Sequence, residues 1–536
     1  MIESPKIITD LKLNLTQPWP DFARDSQAME QMERYILPAY VRSCRWFAGK
    51  ARKITTVCVD SILSVSSPFE SASESAAATP IFHLVILKAK YRTGKLEQYL
   101  LPLALITADQ SANTNPKGII AATRINEADM MLIDAIYDPA FRSALFHYLF
   151  HSSKIKQSNG SLFFVKGKAF KPEDFVADIS SRVLDADQSN SSLIFGEKYF
   201  LKLYRKLFRE INPDVEVVSF LTEKAGYPHI PAFAGTFGWK KAYSAPITFG
   251  MMQEKVDSIK DAWSLVGDYL NEYIFGVVEG NTIINQVVLD QVALLGKRTA
   301  EMHVGLGCDP DDPAFAPEPF TDEYRDWLFA HFESLLKRRL QLAKENHHAL
   351  DERGKALADY FQQQVGKIRD FFAQIKTFPV QSLRTRIHGD YHLGQVLYNG
   401  SDYIILDFEG EPESSISDRK IKHSPLKDVA GMLRSFHYAV SAKLYFSTET
   451  KDISDDIIDQ AAQHWYKVVS EIYLQHYFEV MAGSNLISSD KSEQAFLLQT
   501  HLLEKAIYEL GYEFNGRPTW VKIPLKGIEQ VLMEIT

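Results

Sequence analysis

Apolar positions give the chain two characters. In the first half they fall into short runs and alternations that predict strands at Ile54–Val65, Ile81–Tyr91 and Leu96–Ile106, with an Arg92-Thr-Gly-Lys95 turn before the third. Further strands are predicted at Lys198–Tyr204 and Thr248–Val256. Helices are predicted at Gln27–Tyr40, Glu127–Ile136 and Pro139–Phe150, and Asn212-Pro213 opens another. From Ser258 onward apolar residues recur three and four apart, predicting helices over Trp263–Val277, Val287–Val304, Asp322–Leu342, Leu350–Phe372, Leu426–Phe446, Ile457–Met481 and Gln494–Glu513. One interruption stands out, where Val396–Tyr398 and Tyr403–Leu406 read as a hairpin around Asn399-Gly400, a pair that tolerates the positive φ of a type I′ turn. Ser66–Pro80, rich in Ser and Ala, reads as a mobile loop, and residues 1 to 25 as an extension or linker remnant.

Composition narrows the function classes. A chain of 536 residues has room for several domains, and with 46% apolar residues each can bury a core. The net charge of −9 argues against a nucleic-acid or anionic-membrane partner, so the basic, aromatic stretch Arg45–Lys53 reads as a structural surface. No apolar run approaches the roughly 18 residues of a membrane span, and the first residues lack the order of a signal peptide. The three cysteines, 44, 58 and 308, form no close-spaced metal pair and suit a reducing, cytoplasmic setting.

The chemistry concentrates in Arg386–Glu409. The His388-Gly389-Asp390 loop and the hairpin support two carboxylates, Asp390 at the mouth and Asp407 at the far end. Phosphoryl transfer needs that pair, one carboxylate to accept a hydroxyl proton and another to hold magnesium on the nucleotide phosphates. Gln395, five residues after Asp390, offers a further hard oxygen, and Glu409 completes the candidate metal set. His388 reads as a loop former placed among the substrate-side residues, and His392 as a polar residue at the edge of the site. Gly389-Asp390-Tyr391-His392 also looks like one block of a dinuclear metallophosphoesterase, but the sequence has no Gly-Asn-His or Gly-His-x-His to supply its other ligands.

Upstream, Ser189, Asn190 and Ser191 make a polar turn whose N–H groups and hydroxyls suit phosphate oxygens. Lys202, flanked by Leu201 and Leu203, is a cation in a buried strand that calls for an anionic partner, for which Glu216 is the expected carboxylate. On the helix ending near 513, Lys505, Tyr508, Glu509 and Tyr512 share one face, which reads either as a solvated helix face or as polar groups and aromatics suited to a sugar; Arg517 closes the same pocket or caps the helix end.

Arg386–Pro412 closely resembles the maltokinase family, as do Arg45–Lys50, Phe315–Thr321 and Lys505–Pro524, although Ala48 stands where that family commonly has Gly. The resemblance implies an α+β, two-lobed, protein-kinase-like or aminoglycoside-kinase-like fold with an extra β-rich N-terminal cap. On that basis 1–115 would be the cap, 116–256 the kinase N-lobe with the nucleotide-binding strands, and 257–536 the mostly helical C-lobe. Backbone groups of Glu254 and Val256 would meet the adenine edge. The implied reaction is phosphorylation of maltose by ATP with Mg2+ at the anomeric hydroxyl, giving maltose 1-phosphate and ADP for glycogen and α-glucan synthesis. It admits an association with trehalose synthase and either a monomer or a homodimer. A kinase of glucosamine or an aminoglycoside, or a nucleotide-binding pseudokinase, would share the same hairpin.

Overall fold

The computed structural model describes residues 11–50, 52–69, 79–125, 128–184, 189–412, 414–446 and 453–535. Most of the Ser66–Pro80 loop, and 186–188 of the polar turn, lie outside these residues. The chain forms two compact units, one built from the chain up to Ser219 with Ala232–Lys255, the other from Phe220–Pro231 and from Val256 onward.

The first unit holds two seven-stranded sheets. In the first, strands run in the order Lys12–Leu13, Ile119–Ile125, Ala128–Asp134, Leu96–Thr107, Ile81–Tyr91, Ile54–Ser66, with Lys206–Leu207 paired to Leu96–Thr107. Its two central strands are apolar almost throughout because both faces are covered. Phe82, Leu84, Ile86 and Leu100 point to a core shared with the second sheet, while Val85, Leu87, Leu101 and Leu103 point to another with the N-terminal helices, Trp46 and Phe47. The second sheet runs Lys154–Gln157, Gly160–Lys166, Phe233–Lys241, Ile247–Glu254, Tyr199–Leu203, Ser191–Phe195, Ser181–Val183. The helix Pro139–Phe150, capped by Asp138, fills the shared core with Phe141, Leu145, Phe146 and Leu149.

Four expectations are corrected here. Glu127–Ile136 was expected helical, but Ala128–Asp134 is a strand between Ile119–Ile125 and Leu96–Thr107; a short apolar run has no period of its own, and the flanking strands decide it. The first sheet therefore continues to Asp134, past the expected cap boundary at 115. Of the stretch 1–25, residues 11–25 are no loose linker, since Lys12–Leu13 pairs with Ala122–Thr123 and Phe22 is buried, while 1–10 lie outside the described residues. Gln27–Tyr40 is not one regular helix either: Ser26–Gln31 passes through a wide turn at Met32–Ile36 into Leu37–Ser43.

Arg205 joins the two sheets. Its guanidinium, fully buried, donates to Asp134 Oδ2 at 2.6 Å, Ser191 Oγ at 2.7 Å and the Leu100 carbonyl at 3.3 Å, and lies over the Trp46 ring. Removing either charge of such a pair would leave the other buried and uncompensated. Trp46 and Phe47 are thus core residues, not the structural surface expected of Arg45–Lys53. Burial also pushes the Cys44 thiol up to about 12, which makes it inert.

The second unit is mainly helical, with Ala262–Val278, Gln286–Leu306, Asp322–Asn346, Leu426–Phe446, Asp455–Met481 and Lys491–Gly516 the long elements. The expected helix Leu350–Phe372 is two, Glu352–Gln363 and Val365–Ala373, parted at Gln364. Gly296 lets Gln286–Leu306 approach Asp455–Met481 closely, because a Cβ there would strike the Tyr473 carbonyl. Among the described residues no helix is long and apolar enough to cross a membrane.

Candidate active site

Residues 387–410 sit on a small sheet of Lys260–Asp261, Val396–Tyr398 and Tyr403–Ile405. The hairpin is present, with Tyr398 paired to Tyr403 as the expected strand ends imply, but its four-residue loop is not the expected type I′ turn. The Asn399 side chain accepts from the N–H groups of Ser401 and Asp402, and only Gly400 takes a positive φ. Asn399 closes the turn with its amide and needs no type I′ backbone.

The loop carrying Asp390 is gripped from below. Asp428, in the first turn of Leu426–Phe446, accepts the N–H of His388 at 2.7 Å and of Gly389 at 2.9 Å. It also bonds His303 Nε2 at 3.2 Å, and His303 Nδ1 meets the Tyr477 hydroxyl at 2.9 Å. Burial opposes ionisation of Asp428, yet His303, His388 and the Gly389 N–H hold its carboxyl below the usual range. Gly389 takes a φ of 86, and a Cβ on it would stand 3.1 Å from the Gly410 Cα, so glycine eases the close approach. His388 donates from Nε2 to the Leu406 carbonyl at 2.7 Å and accepts the Asp390 N–H on Nδ1 at 3.3 Å. Both ring nitrogens being committed and the residue buried, His388 is a loop former and not a substrate ligand.

Asp390 itself is partly open, and Lys505 Nζ lies 3.2 Å from its Oδ1 and 3.2 Å from Glu411 Oε1. Burial raises the Asp390 carboxyl, but Lys505, His392 and His388 outweigh it and hold the group below its ordinary range. Burial keeps His392 below its own ordinary range, so it is neutral near pH 7. Asp390 is therefore an ionised carboxylate ready to accept a proton.

The candidate metal ligands are close in the chain's path. Leu406 N–H donates to the Gln395 carbonyl at 2.8 Å, which brings Gln395 beside Asp407. Asp407 has a φ of 59, a conformation that few residues other than Gly adopt and that Asp tolerates better than most. Asp407, Glu409 and the Gln395 amide would together offer oxygen donors of the kind magnesium takes.

In the first unit, Lys202 lies on a strand paired on both sides, with Ser192 opposite it, and is buried. Asp214 accepts from its ammonium at 2.9 Å. The Asn212 side chain accepts the Asp214 N–H where the helix Pro213–Glu223 starts, and Glu216, the expected carboxylate, lies in the first turn of the same helix. Ser189 and Asn190 form the bend before Ser191, but the Ser191 hydroxyl is buried and accepts from Arg205, so it faces inward. The Glu254 N–H is taken by the Ala232 carbonyl. Val256 opens the second unit's long segment and is half-buried.

The face of Lys491–Gly516 divides. Lys505 turns to Asp390, and its ammonium lies 4.9 Å from the Tyr508 ring centre. Glu509 is engaged by the buried Arg434, at 2.7 Å and 3.1 Å. Tyr512 is 60% exposed, and Arg517 bonds Glu513 one turn back while stacking on Trp520, so Arg517 is a helix-end clamp. Residues that sequence reasoning missed here are Asp428, His303, Glu411 and Arg434. Each lies in a stretch whose local pattern reads as ordinary helix or loop.

The family model of the maltokinase N-terminal cap domain matches residues 40–138. The glucosamine kinase of Streptacidiphilus jiangxiensis is 22% identical over 355 residues, 66% of this chain and 74% of that protein. That of Mycolicibacterium smegmatis is 24% identical over 357 residues, 66% of this chain and 80% of its own. A solved glucosamine kinase in complex with glucosamine, ADP and inorganic phosphate has a TM-score of 0.62 at 15% identity, covering 92% of this chain and 98% of that one. This last likeness is one of fold. The cap match, the kinase relatives and the shared α+β kinase fold together support a likeness to the maltokinase family.

Proposed function

We propose that the chain is an ATP-dependent sugar kinase that phosphorylates maltose at its anomeric hydroxyl, giving maltose 1-phosphate and ADP for α-glucan synthesis. The observation that carries the kinase reading is Asp390, an ionised carboxylate on a loop gripped by Asp428 and shared with Lys505. In this reading Asp390 orients the acceptor hydroxyl and takes its proton as the oxygen attacks the terminal phosphorus. Asp407, Glu409 and Gln395 would hold magnesium, which neutralises phosphate charge when bound. Lys202, oriented by Asp214, would bind nucleotide phosphates, aided by the backbone of Ser189 and Asn190, with Glu254 and Val256 at the adenine. Lys505, Tyr508, Glu509 and Tyr512 would line the acceptor side.

The preference for maltose rests on the cap match and on the charge beside Asp390, where Lys505 disfavours a cationic acceptor. The competing acceptor is glucosamine, which the names of the two curated relatives favour. We further propose a cytoplasmic enzyme, monomeric or homodimeric, that associates with trehalose synthase. An ADP-release assay with ATP and magnesium across maltose, glucose, glucosamine and an aminoglycoside tests the acceptor. Maltose should turn over best, and a better rate with glucosamine would transfer the assignment to it.

A further inference from the structure

In the first unit three cations converge on one carboxylate. Glu97, 4% exposed, accepts at Oε1 from Lys206 Nζ at 2.8 Å and from an Arg52 guanidinium nitrogen at 3.0 Å, and Lys95 Nζ lies 3.7 Å from the same oxygen. Its Oε2 accepts from the hydroxyls of Tyr91 and Tyr99, each at 2.7 Å. Burial raises the Glu97 carboxyl, but Lys206, the two tyrosines and Arg52 outweigh it and hold the group well below the usual carboxylate range.

The fold sets this arrangement. Lys206 pairs with Tyr99 across two antiparallel strands, and Lys95 closes the turn before Leu96–Thr107, its carbonyl taking the Tyr91 N–H. The Arg52 guanidinium lies 4.9 Å from the Tyr91 ring centre, at the end of a loop seated by Gly49, where a Cβ would strike the Tyr91 hydroxyl.

The charges there do not balance. Three cations face one carboxylate, and among the described residues none of the three has another carboxylate within 4 Å. Asp60 is bound by Lys88 and by Gln98, and Gln98, next to Glu97 in the strand, points to the sheet's other face. The side chains of Arg52, Lys95 and Lys206 keep 38%, 60% and 30% of their surface open, while the carboxylate between them is covered. Exposed Lys50, Lys53 and Arg92 stand near in the chain's path, the Arg92 N–H donating to the Lys53 carbonyl. Excess positive charge held in one partly open place favours a compact anion of more than one charge. A phosphate group carries nearly two charges near neutral pH, and its oxygens accept from ammonium and guanidinium donors.

We propose that Arg52, Lys95 and Lys206 form a second anion site, which holds a phosphate group, free or as the monoester of a sugar, with Glu97 spacing the three cations from beneath. The proposal is independent of the kinase reading, since none of these residues belongs to the candidate active site.

The test is lysine acylation read by mass spectrometry on the whole chain, in inorganic phosphate and in chloride of equal ionic strength. Labelling of Lys95 and Lys206 should fall severalfold in phosphate, while exposed Lys344 is unchanged. In Lys95→Gln the phosphate concentration that half-protects Lys206 should rise about 10-fold, the loss of one charge-assisted hydrogen bond. Because the Lys95 side chain is mostly exposed, that variant should melt in chloride as the wild type does. Protection by glucose 1-phosphate at lower concentration than inorganic phosphate would make the ligand a sugar monoester, and the reverse order would make it free phosphate. Equal labelling of Lys95 and Lys206 in phosphate and chloride overturns the proposal, and that is also the result if phosphate binds only at the active site. A folded Lys95→Gln protein whose Lys206 is protected as in wild type overturns it as well.

Discussion

The loop carrying Asp390 and the helix face carrying Lys505 looked alike as chemistry in the sequence, yet they behave differently in the structure. In the loop, polar groups at 388, 389 and 390 are bound to Asp428, to Leu406 or to one another. On the helix face, four residues at equivalent spacing go four ways: Lys505 to Asp390, Tyr508 over Lys505, Glu509 to Arg434, and Tyr512 to solvent. A backbone motif constrains its own geometry, whereas a shared helical face guarantees only direction. What a side chain on that face meets is decided by the neighbouring helices.

That contrast can be broken by substitution. The largest effect expected is at Asp390→Asn, which should lower kcat about 10²- to 10⁴-fold in the ADP-release assay with melting temperature nearly unchanged. Near-normal turnover would remove the base from Asp390. Next comes Asp428→Ala, which leaves two backbone N–H groups and His303 without their acceptor. It should cost about 3–5 kcal/mol of stability by denaturant unfolding and lower turnover as well. If stability falls and kcat does not, the grip on the loop is structural alone.

Lys505→Met should act through pH. Because Asp390 is held below its ordinary range, it stays ionised at mildly acidic pH, so kcat/KM should hold there and fall only as pH drops through the lowered value. Loss of the Lys505 ammonium removes a charge that lowers the Asp390 pKa, so the acid limb should move to higher pH. An unmoved limb would uncouple the two residues. The smallest effect is expected at Arg517→Ala, where a half-exposed ion pair at a helix end is worth about 1 kcal/mol or less. Its kcat/KM should change less than about threefold, and a larger loss would restore Arg517 to the acceptor side.

The same contrast explains what was legible beforehand. The long helices were readable because their apolar period persists over many turns, and the Asp390 hairpin because Asn399-Gly400 separates two apolar runs. The turn type was not, since Asn399 uses its side chain where the expected turn uses backbone. Lys202 announced a buried anion, but Asp214 was not singled out, because it joins Lys202 only through the packing of the helix that starts at Pro213. Asp428 and His303 were invisible because each belongs to a helix with an ordinary apolar pattern, and tertiary packing alone brings Asp428 to His388 and Gly389 and His303 to Asp428.

The most direct test of the central claim is phosphorus NMR of the product formed from maltose, ATP and magnesium. The account predicts a sugar phosphate whose phosphorus couples to the anomeric C1 proton, formed together with one ADP and absent with Asp390→Asn. A 6-phosphate product, or phosphorylated glucosamine formed in preference to any maltose product, would contradict it.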